Sequence, residues 1–201
     1  MFITCLDLEG VLIPEVWINV AEKTGIEELK LTTRDISDYD VLMKKRLKVI
    51  AEHGLTLKYI QEVIGAMDPF PGALEFLDWL RTQSQVVILS DTFVEFAQPF
   101  MEKLGMPTIL CHNLEMDPQD KIINYKLRID DPKKRAIQAF RSLNYQTIAA
   151  GDSFNDVSMI KEADYGAFFK PPVEIAAQFP QFPVAQDYEA FKTILSGFLK
   201  Q

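Results

Sequence analysis

The sequence predicts an α/β fold, a doubly wound and mostly parallel sheet, with an all-helical segment inserted after the first strand and a small β-hairpin. Three observations predict it. Short apolar runs at the start of the chain, at Gln85–Leu89, at Thr147–Ala150 and at Gly166–Phe169 read as buried strands. From Gly72 onward these runs alternate with helical periodicity, which implies parallel strands covered on both faces. Residues 14–71 show helical spacing alone.

Taken in order, Phe2 to Val11 is an apolar run that turns at Gly10, so it reads as a strand entering a tight loop. Val16, Trp17, Val20 and Ala21 give the stretch from Glu15 to Thr24 one apolar face, with Gly25 as its stop. Asp40 is expected to cap a second helix carrying Met43, Leu47 and Ile50, ending before Gly54. Thr56 is expected to cap a third, through Ile60, Val63 and Ile64, and Pro69-Phe70-Pro71-Gly72 breaks the pattern. The chain thus divides into a core, 1–13 and 72–201, and a helical insertion, 14–71. In the second part a helix from Ala73 to Arg81 precedes the strand Gln85–Leu89, a loop at Ser90-Asp91-Thr92, and a helix to Leu104 stopped by Gly105. Thr108–Cys111 is a short strand. Asn113–Met116 and Ile122–Leu127 form the hairpin. Pro132 opens a helix to about Leu143, Asn155–Ala163 is helical, and Tyr188–Leu199 closes the chain. The phenylalanines from Phe179 to Phe191 read as core packing.

Composition narrows the function. The chain has 201 residues, 48% hydrophobic and 25% charged, a globular balance within the size of one domain plus an insertion. A net charge of -8 argues against a nucleic-acid partner, which needs a basic face. No apolar run reaches membrane-spanning length and no secretory leader is visible, so no membrane association and a cytoplasmic location are expected. Cys5 and Cys111 lie in apolar segments and read as buried free thiols. His53 and His112 stand apart from any triad or metal-ligand spacing and read as structural.

The chemistry lies at strand ends. Asp7 and Glu9 are two apart, so on a strand they point the same way, and side by side they repel unless a cation lies between them. Mg²⁺, a hard ion that prefers oxygen ligands, is the natural partner. Ser90 follows the second strand, Lys133 and Lys134 begin a helix after Pro132, and Gly151-Asp152-Ser153-Phe154-Asn155-Asp156 follows a later strand. In a parallel sheet such loops converge on one edge. The set supplies carboxylates, a hydroxyl, a cation and helix N-terminal amides, which suits a phosphate ester bound beside Mg²⁺. Counting from Lys133 puts Ala136, Ile137 and Phe140 on one buried face, so Lys133 is preferred to Lys134 as the phosphate clamp.

The motifs Asp7-Leu8-Glu9-Gly10-Val11, an apolar strand ending in Ser90, a lysine, and Gly151-Asp152 with Asn155-Asp156 resemble, in order and spacing, those of the haloacid dehalogenase superfamily, whose core is Rossmann-like. Within it, Pro14-Glu15, Arg34-Asp35, Tyr39 to Arg46, Leu89-Ser90-Asp91-Thr92-Phe93, Leu110-Cys111-His112 and Phe179 to Pro183 are similar to the subgroup of bifunctional phosphoserine phosphatases/homoserine phosphotransferases. The Glu at position 9, where most members carry Asp, is itself a mark of that subgroup.

The resemblance implies an Mg²⁺-dependent enzyme. Asp7 is the nucleophile that forms an aspartyl-phosphate, and Glu9 is the general acid and then base. Asp7, Asp152 and Glu9, the last through its backbone carbonyl, hold the metal. Ser90, Asp91, Lys133 and Asn155 form the substrate-binding set around the phosphoryl group, and Asp156 stands behind it, orienting Lys133 or the metal shell, or else serves as an ordinary helix N-terminal acid. Glu15 binds the α-ammonium and Arg46 the α-carboxylate of phosphoserine, and homoserine is a second phosphoryl acceptor. Taken alone, Arg46 among Lys44, Lys45 and Lys48 reads as a solvated face, and Glu15 as a first-turn acid. Competing readings are a capped phosphatase for another small phosphomonoester and a phospho-acceptor signalling module. The helical insertion speaks against the latter, which needs no lid. The oligomeric state is not legible.

Overall fold

The computed structural model describes residues 1–32, 35–36 and 38–201. Arg34, named above with the resemblance, lies outside the described residues. Seven strands form one sheet: β1 (Phe2–Leu6), β2 (Gln85–Phe93), β3 (Ile109–Met116), β4 (Ile122–Lys126), β5 (Gln146–Gly151), β6 (Tyr165–Phe169) and β7 (Val184–Ala185), in the order β4-β3-β2-β1-β5-β6-β7. All neighbours are parallel except β3 and β4, the hairpin. The chain runs outward from β1 to β3 on one side and from β5 to β7 on the other. The crevice at the carboxyl ends of β1 and β5 is therefore the switch point where such sheets bind ligands.

Period-two alternation places Val87 and Leu89 on one face and Ile88 on the other. The first face packs with Ile3, Cys5 and Phe168 under α6 (Pro132–Ser142), α7 (Val157–Glu162) and α8 (Val173–Gln178). The second lies under α4 (Ala73–Arg81), α5 (Val94–Met101) and α9 (Tyr188–Phe198). There Phe76 and Phe191 stack with centroids 4.9 Å apart, so the aromatic carboxyl-terminal stretch packs the core at Phe191. Both cysteines are buried and free.

Between β1 and α4 lie α1 (Val16–Thr24), a 3₁₀ turn (Glu27–Lys30), α2 (Tyr39–Glu52) and α3 (Leu57–Gly65). Their apolar faces, including Val20, Met43 and Ile60, join the same core as Leu6 and Phe96. The two ends of the insertion meet, the Phe70 amide donating to the Leu12 carbonyl at 2.9 Å, and α9 ties down the first of them through the Tyr188 hydroxyl, which donates to the Val11 carbonyl at 2.7 Å. α3 rests on the hairpin turn, where the Lys58 amide donates to Asp120 Oδ2 at 2.8 Å.

Several boundaries differ from expectation, each for a local reason. The cap of α2 is Asp38, whose side chain accepts from the Val41 amide, whereas Asp40 sits inside the first turn and pairs with Lys44. β2 continues through Ser90-Asp91-Thr92 to Phe93, because β3 resumes pairing at Phe93 and His112 after a register shift between Leu89 and Phe93. For the same reason the two short pieces expected at Thr108–Met116 are one strand. α5 stops at Met101, and turns bridge to Gly105 at φ +68°. The 3₁₀ turn, α8 and β7 were not expected; they are four, six and two residues long, too short for a periodic signal.

Candidate active site

β1 ends at Leu6, so Asp7 and Glu9 lie just beyond the strand rather than on it. The Asp7 amide still donates to the Ala150 carbonyl at 2.9 Å, which locks the start of the loop to β5. Gly10 then turns with φ +76°, and a Cβ there would fall 2.4 Å from the Asp152 carboxyl carbon. This position admits only glycine, since the backbone must pass close to the acid of the neighbouring loop.

Asp7 Oδ1 accepts from the Leu8 amide at 2.7 Å and faces the Lys133 ammonium at 3.0 Å. Lys133 Nζ also meets Asp156 Oδ1 at 2.7 Å and Asp91 Oδ2 at 3.5 Å. Asp156 is fully buried, and its Oδ2 accepts from the Asp152 and Ser153 amides and the Ser153 hydroxyl, each at 3.0 Å. This capping box closes the Gly151–Asp156 loop onto α6 and accounts for Gly151, where a Cβ would lie 2.1 Å from Asp156. Lys134 instead pairs outside with Glu162 at 3.8 Å.

Three carboxylates, Asp7, Asp91 and Asp156, thus face one buried ammonium, and Asp152 adds a fourth negative charge beside Asp7. Burial, with Asp156 and Asp152 adding to it, pushes the Asp7 carboxyl well above the usual range against the pull of Lys133. Burial alone disfavours the Lys133 cation, but Asp156, Asp7 and Asp91 reverse this and hold its ammonium well above normal. Oxygens of Asp7, Asp152 and Asp156 lie within 4.8 Å of one another. An all-oxygen, acidic donor set fits a hard divalent cation. The Glu9 carboxylate does not belong to this group; it accepts from the Val16 amide at 2.9 Å.

Asp7, Glu9, Glu15, Arg46, Ser90 and Lys133 line one cavity of about 620 Å³, together with Asp91, Asp152 and Asn155. Ser90 is buried and its Oγ accepts from the Thr92 amide at 3.2 Å. Asn155 is exposed at the rim. Glu15 precedes α1, exposed, and Arg46 on α2 is 7% exposed with its guanidinium 4.6 Å over the Trp17 ring. Arg46 Nη2 donates to the Leu31 carbonyl at 2.8 Å, while its buried Nε has no hydrogen-bond partner among the described residues. So Arg46 is not the solvated side chain that its lysine-rich neighbourhood suggests. Burial pulls its guanidinium down to about 10 against the opposing pull of Glu9, Tyr39 and Glu15. Burial, and then the neighbouring Glu15, raise the Glu9 carboxyl to about 7, with the Val16 amide and Arg46 opposing.

Three residues at the site have no role assigned from the sequence, although Tyr39 and His112 lie in stretches that carry the resemblance. Trp17 reads as core and also floors Arg46. Tyr39 donates from its hydroxyl to the Asp91 carbonyl at 3.1 Å. His112 is not isolated: it is buried with Nε2 3.8 Å from Asp91 Oδ1. Its place on β3 is invisible when that strand is read as two pieces.

A loop-borne aspartate at the end of the central strand, a buried lysine and an acidic loop after the neighbouring strand make up the site of an α/β fold with a helical insertion, a set whose chemistry suits a phosphate ester. The profile of the haloacid dehalogenase-like hydrolases matches residues 17–161, and the chain belongs to that family. It is 59% identical over 192 residues to the phosphoserine phosphatase ThrH of Pseudomonas aeruginosa, covering 96% of this chain and 94% of that protein. It is 57% identical to a phosphoserine phosphatase of Pseudomonas syringae pv. tomato, covering 94% of this chain and 80% of that one. Among solved structures, a phospho-aspartyl intermediate analogue of a phosphoserine phosphatase shares the fold with a TM-score of 0.76 at 19% identity, over 96% of this chain and 98% of that one.

Proposed function

We propose that this protein is a phosphoserine phosphatase that works through an aspartyl-phosphate on Asp7, with homoserine as an alternative acceptor of the phosphoryl group. One observation carries the reading: a single cavity is lined by Asp7, Ser90 and Lys133 and also by Glu9, Glu15 and Arg46, so a phosphate ester and an amino-acid head fit the same space. The names of the two relatives above 50% identity support the substrate.

In this reading 14–71 is a cap over a core of 1–13 and 72–201, and the enzyme is cytoplasmic. Arg46 takes the substrate α-carboxylate with the donors that its partial satisfaction leaves, Nε among them. Glu15 takes the α-ammonium. Lys133, Ser90 and Asn155 hold the phosphoryl oxygens, with Asp91 keeping Lys133 in place. Both described contacts of the Asp7 carboxylate fall on Oδ1, which leaves Oδ2 for the attack on phosphorus. As the new O–P bond forms, the ester P–O bond breaks and protonated Glu9 gives its proton to the departing serine oxygen. Glu9, now a carboxylate, takes a proton from water, whose oxygen attacks phosphorus and frees Asp7 and inorganic phosphate. Homoserine enters the same step through its hydroxyl, presenting the same α-amino-acid groups to Glu15 and Arg46. Asp7, Asp152 and the Glu9 backbone carbonyl would hold Mg²⁺, with Asp156 fixing the loop behind them. When bound, the ion offsets the repulsion between carboxylate and phosphate.

The test is to incubate the protein with L-phosphoserine and Mg²⁺, with and without homoserine, following inorganic phosphate and phosphohomoserine. Both products are expected. Phosphate alone would remove the transferase claim. No faster turnover of phosphoserine than of unrelated monoesters would remove the substrate and the assignments of Glu15 and Arg46.

A further inference from the structure

We infer that His112 is a positioning residue: it holds Asp91, and with it Lys133, in register with the phosphoryl site. The inference deepens the proposed reaction and rests on its assignment of Lys133.

His112 lies on β3 behind the cavity, 2% exposed, and touches two parts of the structure that both lead to Lys133. Its Nδ1 accepts from the Arg128 amide at 3.1 Å. An acceptor at Nδ1 leaves the ring proton on Nε2, the atom that faces Asp91 Oδ1 at 3.8 Å. At that length the contact is electrostatic rather than a short hydrogen bond. The other Asp91 oxygen faces Lys133 Nζ at 3.5 Å. The first link fixes the segment between β4 and α6, four residues ahead of the proline that opens the helix carrying Lys133. The second fixes the carboxylate beside the ammonium itself.

The surroundings explain why the ring is needed. Burial disfavours the Asp91 carboxylate, yet Lys133 and His112 outweigh it and hold the group below the usual range. Asp91 is thus a charged acceptor shared between one donor on each side. Lys133 carries three donors and is drawn at once to Asp7, Asp156 and Asp91. Two of those pairs are shorter than 3.1 Å, and Asp91 is the far partner that keeps the ammonium from collapsing wholly onto them. Phe93 packs against the imidazole with centroids 6.4 Å apart, and the Tyr39 hydroxyl holds the Asp91 carbonyl, so neither ring nor backbone is left to drift.

The two ring nitrogens can be separated by mutation. His112→Gln carries an amide nitrogen out to the Nε2 position, keeping the donor toward Asp91. His112→Asn keeps an acceptor for the Arg128 amide but does not reach Asp91. We expect His112→Asn to lower kcat for phosphoserine by about tenfold to a hundredfold, the scale of small misplacements of a binding group. KM should change less, His112→Gln should recover most of the rate, and Asp91→Asn should match His112→Asn. The double variant His112→Asn with Asp91→Asn should fall no further than either alone. The same ratios should appear with p-nitrophenyl phosphate, which keeps the test readable if the protein turns over monoesters but not phosphoserine. Equal loss in the Asn and Gln variants, or multiplying losses in the double variant, would show that His112 only fills space. An unchanged kcat in folded His112→Asn would also overturn the proposal.

Discussion

At the scale of single residues, the site is a problem of charge held out of water. Replacing Asp7 by Asn should reduce phosphate release by at least about a thousandfold, measured as a phosphate burst and as steady-state turnover. Replacing Asp156 by Asn removes a charge that Lys133 and three donors of the Asp152–Ser153 turn share, so denaturant unfolding should register a loss of about 3–5 kcal/mol. Glu9 sets the pH response. Its carboxyl sits near 7, so it is protonated below that pH and can act as the acid, and the rate of ester cleavage should fall as pH rises through 7. Glu15 raises Glu9 by repulsion, so Glu15→Gln should move that alkaline limb to lower pH, a shift that a weakened KM alone does not produce. Stability runs in the same direction. The folded group binds a proton that the unfolded group, with its ordinary value of 4.5, releases, so its contribution declines as pH rises from about 4.5 to 7.

At the scale of elements, most of the frame was legible because caps and periodicity are local. Gly25 and Gly105 turn with positive φ where stops were expected, and Thr56 caps α3, its side chain accepting from the Tyr59 amide. Thr56→Ala should cost about 1 kcal/mol in thermal or denaturant unfolding. The acidic loop, Ser90, Lys133 and the Gly151–Asp156 stretch were also legible, since each follows an apolar strand or opens a helix with a buried register. What was not legible depends on pairing between distant segments. The extension of β2 past Ser90 exists because β3 lies beside it, and the same pairing brings His112 behind Asp91. Arg46 is covered by distant segments, with Trp17 of α1 beneath its guanidinium and the Leu31 carbonyl accepting from it. Helical spacing places Arg46 three residues after Met43 and four before Ile50, on the buried face of α2, but its lysine-rich neighbourhood points the other way.

At the scale of the whole molecule, two layers of helices fix the sheet while the insertion between β1 and α4 closes over its carboxyl edge. Among the described residues no helix is long and apolar enough to cross a membrane. Three buried carboxylates cluster within reach of one cation, with one ammonium, Lys133, paired to two of them, a charge balance that a divalent ion relieves. Adding Mg²⁺ should therefore raise the unfolding midpoint, by the equivalent of about 2.7 kcal/mol at a hundredfold excess over its dissociation constant. Chelation should reverse the gain. The most direct measurement of the central claim is an acid-quenched intact-mass and peptide-mapping experiment on protein mixed with L-phosphoserine and Mg²⁺. The account predicts one added phosphoryl group on the peptide bearing Asp7, lost with turnover and never formed by the Asp7→Asn variant. Rapid phosphate release with no phosphorylated Asp7 at any time, and with Asp7→Asn still active, would contradict it.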